Sequence, residues 1–81
     1  MTAETVLSEL QVIFRDILEN DDIILNEQTS AVDIEEWDSL SNIQLVVAVE
    51  RNYKVKFNTQ EITSWKNIGD LIKSILAKKA S

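Results

Sequence analysis

The 81-residue chain contains no cysteine, no histidine and no proline, and it has one glycine, Gly69. Each absence excludes something. Without cysteine there is no disulfide framework and no thiolate chemistry from the protein itself. Without histidine as well, no His-based catalytic dyad or triad and no His/Cys zinc site can be assembled. A single glycine and no proline leave a hairpin-rich or sandwich fold without its turn chemistry. No apolar run reaches the length of a membrane span. The opening MTAETVLSELQ lacks the positive start and unbroken apolar stretch of a signal peptide, so the expectation is a cytoplasmic protein with no membrane insertion.

What is present points to a small helical domain. Hydrophobic residues make up 44% of the chain, enough for a core and too many for disorder. At this length one domain over 1–81 is expected, burying only about 60% of its unfolded surface. The net charge of −6 argues against a nucleic-acid partner. Its distribution is uneven. Residues 1–50 carry twelve acids and one base, Arg15, for −11, whereas residues 51–81 carry two acids and seven bases, for +5. That asymmetry fits either a solvated acidic loop with lysines complementing a terminal helix dipole, or an acidic face that steers basic partners.

Apolar spacing predicts a first helix over about 3–19, with Val6, Leu10, Ile13 and Ile17 on one stripe, broadened by Leu7, Phe14 and Leu18, and capped by Thr2. Between Asn20 and Trp37 no periodicity survives. A connection of this length is long for a compact domain, and its scattered Ile23, Ile24, Leu25, Val32 and Ile34 suggest a loop pinned over the bundle. A second helix is expected from just after Asp38 to about Tyr53. Leu45, Val46, Val49 and Tyr53 form one arc of it, and Leu40, Ile43 and Val47 an adjoining strip. Together they cover more than one core face requires, so the helix is central, or the strip is a contact surface, or both in part. Asn58 and Glu61 have capping-box spacing for a short helix near 59–63. Asn67 and Asp70 repeat it before a last helix from Ile68 to about 79, whose stripe is Ile68, Leu71, Ile72, Ile75 and Leu76. KVKF at 54–57 alternates like a strand but has nothing to pair with. The fold class is all-α: a bundle of three longer helices and one short one, with a long loop between the first two.

Ser39 stands where the acidic loop meets the second helix. Asp38 is a good N-cap, and a serine at the first helical position needs no further purpose. Yet a helix N-terminus also favours a phosphate, and a serine with no neighbouring base is a poor nucleophile and a good acceptor of a phosphate-linked group.

The stretch WDSLSNIQLVVAVERNYKVKF resembles the region around the modified serine of acyl carrier proteins, where an Asp-Ser-Leu motif opens the second helix. The short third helix and amphipathic final helix correspond too, so the likeness covers nearly the whole chain. The resemblance implies that Ser39 receives 4′-phosphopantetheine from coenzyme A through a separate magnesium-dependent phosphopantetheinyl transferase. The terminal thiol of that arm carries acyl groups as thioesters, supplying what a cysteine-free chain lacks. It further implies that Asp38 positions the helix start and assists transferase recognition, and that Leu40 is an exposed apolar contact. Ile43 and Val47 match positions facing partners or the acyl chain, and Glu50 an acidic recognition position.

The departures matter. The second helix has Ser41, Gln44 and Arg51 where carriers of fatty acid synthesis are strongly acidic, and the acids lie upstream in Asp33, Glu35, Glu36 and Asp38. Trp37 replaces a small residue; it is either an aromatic anchor for the loop or, with Glu35 and Glu36, part of the partner-binding surface. The expected protein is a stand-alone monomeric carrier, not an enzyme, serving acyl-loading and acyl-processing enzymes of a fatty-acid, polyketide or other specialised acyl pathway. An aminoacyl or D-alanyl-type carrier and an unmodified helical adaptor remain the alternatives.

Overall fold

The computed structural model describes residues 2–80. Four helices follow one another: α1 (Ala3–Ile17), α2 (Ser39–Tyr53), α3 (Thr59–Ser64) and α4 (Ile68–Ala80), with one 3₁₀ turn at Ala31–Asp33 inside the long loop. No strand occurs among the described residues, and KVKF is irregular. The protein is all-α, as the spacing of apolar residues and the caps required.

Each helix start has a local cause. The Thr2 hydroxyl accepts from the Thr5 amide to open α1. The Asn58 side chain accepts from the Glu61 amide, and the Glu61 carboxylate accepts from the Asn58 amide, closing the capping box of α3. At α4, Asn67 Oδ1 accepts from the Asp70 amide, whereas the Asp70 carboxylate accepts from the amide of Lys66, one residue earlier than the usual reciprocal partner. The end of α1 comes two residues before the expected Glu19. Leu18 caps it and Glu19 takes a left-handed conformation with φ 54°, so the turn is made without glycine.

The core joins Val6, Leu10 and Phe14 of α1 to Leu45, Val49 and Tyr53 of α2 and to Ile68, Ile72 and Ile75 of α4. The i, i+4 row of α1 is the fully buried one; Leu7, Ile13 and Ile17 lie at its margin, half-buried. Packing at the foot of the bundle is tied by polar contacts as well. Tyr53 donates its hydroxyl to Glu9 Oε1 at 2.6 Å, and Lys79 Nζ donates to the Tyr53 carbonyl at 3.1 Å. Burial, and then the neighbouring Glu9, push the Tyr53 phenol well above its usual range.

The long loop is fastened down. Ile23, Leu25 and Ile34 are buried in the core, Arg15 Nε donates to the Ile23 carbonyl, and Gln11 Oε1 accepts from the Leu25 amide. The loop also finishes α4: the Thr29 carbonyl accepts from the Ile68 amide and the Glu27 carbonyl from the Gly69 amide, at 2.8 and 2.9 Å. These are first-turn amides that a helix leaves without internal partners. The approach is close enough that a Cβ on Gly69 would stand 3.1 Å from the Glu27 carbonyl oxygen. The one glycine of the chain sits where loop and helix meet.

Candidate functional site at the start of the second helix

The segment 36–42 is knit together around Ser39. Asp38 Oδ1 accepts from the Ser41 amide, and Ser41 Oγ accepts from the Asp38 amide, both at 2.9 Å. The Ser41 hydroxyl then donates to the Glu36 carbonyl at 2.8 Å. Glu36 in turn accepts from Asn20 Nδ2 through its carboxylate. The Ser41 amide, ahead of the other hydrogen bonds, holds the Asp38 carboxyl below its ordinary value. Asp38 is therefore an anion that already occupies part of the positive helix end.

Ser41 had no place among the expected site residues. Its signal was legible as Asp-x-x-Ser at capping-box spacing, but the third position of that pattern is usually Glu or Gln, whose longer side chain reaches back more readily.

Ser39 differs from its neighbours in having nothing to do. It is the first residue of α2, exposed, and its hydroxyl has no hydrogen-bond partner among the described residues. Four other serines are engaged: Ser41 as above, Ser64 with the Glu61 carbonyl, Ser74 with the Trp65 indole, and Ser30 with Asp33; Ser8, also exposed, lies within α1 and not at a helix start. A hydroxyl that is reachable, rigidly placed and free of competing hydrogen bonds fits a phosphate-linked group.

The remaining expected site residues divide. Trp37 is half-buried, packs edge-on against Phe14 with ring centroids 5.0 Å apart, and donates its indole N–H to Asn42 Oδ1 at 3.0 Å. It anchors the loop to the bundle. Leu40, Ile43 and Val47 stay exposed, at 70, 63 and 40%. The strip is therefore not explained by a central helix; α2 buries one face only. Glu35 and Glu36 are exposed beside it. Glu50 is half-buried, and one of its oxygens accepts from the Phe57 amide at 2.8 Å, holding the turn that leads to α3.

No pattern of residues announced a cavity. One of about 400 Å³ opens beside Ser39, between α2 and the 62–67 segment. Its deeper walls are Phe14, Leu45, Val49, Ile62, Trp65 and Leu71; Asp38, Asn42, Lys66 and Asn67 contribute polar atoms. Trp65 is more than packing. It stands edge-on to Phe57 with centroids 4.9 Å apart, and its N–H donates to Ser74 Oγ at 2.8 Å, which fixes one wall. The volume is within the range of small-molecule sites. Among the described residues there is no cluster of acids suited to a metal ion.

Comparison with known proteins agrees with this geometry. A family model for the phosphopantetheine attachment site matches residues 8–75. The solution structure of a holo acyl carrier protein from Geobacter metallireducens is 44% identical, covers 91% of this chain and 85% of that one, and superimposes with a TM-score of 0.86. No curated protein matches. With the family model spanning most of the chain and a carrier structure alike in both sequence and fold, the chain belongs to the acyl carrier protein family, and is a carrier of covalently attached phosphopantetheine rather than an enzyme.

Proposed function

We propose that Ser39 is the attachment point and that the protein carries acyl intermediates of a fatty-acid, polyketide or other specialised acyl pathway. The observation that carries this is the free, exposed Ser39 hydroxyl at the mouth of a largely apolar cavity. When bound, the arm supplies the thiol on which cargo is held as a thioester. In its attachment, the Ser39 oxygen bonds to the phosphorus of the phosphopantetheine moiety of coenzyme A as adenosine bisphosphate leaves. The serine proton goes to the transferase, because no base of this chain lies within hydrogen-bonding distance of it.

The chain's own residues hold and present. Asp38 and Ser41 fix the backbone on either side of Ser39, and Trp37 keeps the loop from closing over it. Leu40, Ile43 and Val47 form the docking strip for the phosphopantetheinyl transferase and for acyl-loading and acyl-processing enzymes, since contiguous exposed apolar side chains mark interaction surfaces. Glu35 and Glu36, followed by Trp37, offer acidic contacts at its upper end, and Glu50 is the acidic residue of the helix itself. The chain acts as a single-domain, cytoplasmic monomer. An acyl cargo is favoured over an aminoacyl one by the cavity, whose deeper walls have nothing to pair with an ammonium group.

Incubation with a broad-specificity phosphopantetheinyl transferase, magnesium and coenzyme A should add the mass of one phosphopantetheine. Ser39→Ala should add none while keeping its helical circular-dichroism spectrum. Unmodified folded wild type across several transferases, or a labelled Ser39→Ala, refutes the assignment and leaves the adaptor.

A further inference from the structure

The polar atoms of the cavity are unequal in kind. Asn42 Oδ1 is taken by the Trp37 indole N–H, and Asn67 Oδ1 by the Asp70 amide. Both partners can only donate, so the orientation of each side-chain amide is settled, and the NH₂ group of each has no partner among the described residues. Lys66 adds an ammonium with no partner among the described residues. The two indole N–H groups are already used, by Asn42 and Ser74. No described side-chain nitrogen or oxygen is both buried and unpartnered, so these three donors are reachable from outside the protein. The cavity beside Ser39 thus combines an apolar interior of Phe14, Val49 and Leu71 with three spare donors, against one carboxylate, Asp38, whose Oδ1 already accepts from the Ser41 amide.

We infer that the cavity selects acyl cargo bearing oxygen acceptors close to the thioester, such as 3-oxo or 3-hydroxy acyl groups, over plain alkyl chains. The inference rests on Ser39 being the attachment point. Asn42 is one turn along α2 from Ser39, so cargo entering beside Ser39 meets its amide before the apolar interior. A tail placed among Phe14, Val49 and Leu71 then leaves the thioester-proximal carbons near the donors of Asn42, Lys66 and Asn67. An apolar pocket alone would rank cargo the other way, because a carbonyl or hydroxyl loses its water on entry and needs a replacement hydrogen bond. The ranking is therefore diagnostic.

The test loads the wild-type apo protein, through the transferase, with octanoyl-, 3-oxo-octanoyl- and 3-hydroxyoctanoyl-coenzyme A. Loading is verified by intact mass, and the thermal midpoints are compared with that of the unacylated holo protein. Both oxygenated chains should raise the midpoint beyond octanoyl by about 4 °C, the shift given by one net hydrogen bond in a domain of this size. Lys66→Met with Asn67→Asp should remove most of that excess, leaving what Asn42 alone supplies, and leave the octanoyl shift unchanged. Aspartate still accepts from the Asp70 amide, so the helix cap survives; Lys66→Met alone, expected to halve the excess, serves if the double variant does not fold. An octanoyl shift equal to or larger than the oxygenated ones overturns the inference. So does an excess that is undiminished in the variants, or an equal loss for all three cargoes, which would assign the donors to the arm. Absence of any mass gain overturns the attachment reading, and this inference with it.

Discussion

The two faces of α2 are made of the same kinds of residue and meet opposite fates. Leu45, Val49 and Tyr53 are 2, 1 and 4% exposed, whereas Leu40, Ile43 and Val47, on the same helix, are open to water. Hydropathy does not distinguish a leucine at 40 from one at 45. What separates them is that α1 and the core built around it are packed against one arc only. The buried arc holds the fold together; the exposed arc contributes little to it and is retained beside Ser39, Asp38 and the cavity mouth. The charges follow the same division. Gln44 and Arg51 lie on the exposed arc, while the carboxylate of Glu50 turns to the Phe57 amide.

Substitution across the two arcs offers the largest contrast. Leu45→Ala should destabilise by about 2–5 kcal/mol, the usual result of emptying a buried leucine site. Leu40→Ala should stay within about 0.5 kcal/mol of wild type and instead lower the transferase kcat/KM. Urea unfolding together with labelling kinetics checks both, and comparable destabilisation by the two would break the distinction.

Ser41 stands at the junction of the arcs. Ser41→Ala removes a hydroxyl that both accepts from the Asp38 amide and donates to the Glu36 carbonyl, for a loss of about 1 kcal/mol. Labelling of Ser39 should slow as well, because its backbone loses that support. A variant equally stable and equally fast would show that the capping network does not position the serine.

A smaller effect is expected from charge on the exposed arc. Replacing Gln44 and Arg51 with glutamate should raise the association rate of enzymes that dock on an acidic second helix. The increase should be several-fold at low ionic strength and fade near physiological salt. Stopped-flow binding at several salt concentrations measures it, and identical rates throughout would refute it.

The smallest concerns pH. Asp38 and Glu61 both titrate below their ordinary values, Asp38 chiefly through the Ser41 amide and Glu61 through the Asn58 amide and then Lys78. A depressed carboxyl contributes stability above its unfolded value, 3.8 for Asp38 and 4.5 for Glu61, and loses it as pH falls through the folded value. Thermal midpoints should therefore begin to fall below about pH 4.5. Tyr53, shifted upward, has the opposite sign: its contribution is intact below pH 10 and declines above it. Asp38→Asn should flatten part of the acid limb, measurable by differential scanning calorimetry.

Much of this molecule was readable from the chain because its signals are local. The caps at Thr2, Asp38 and Asn58 act within three residues, and the apolar stripes of α1 and α4 repeat every turn, so helix starts fell where residue types required them. Ser39 was legible for the same reason, as the first residue after a good cap within an Asp-Ser-Leu motif. Other features depend on what comes near from elsewhere in the chain. Only the folded structure shows that Thr29 and Glu27 finish α4, that Trp37 is held by Phe14 and Asn42, and that Glu50 serves the backbone at Phe57. The cavity is the clearest case. Its walls come from all four helices and the segment between α3 and α4, and a void is the space left after packing, which no stretch of residues encodes by itself. The sequence determined the helices, the caps and the position of the serine. Tertiary packing decided which face of α2 remains free and what the serine opens onto, because both depend on contacts between residues far apart in the chain.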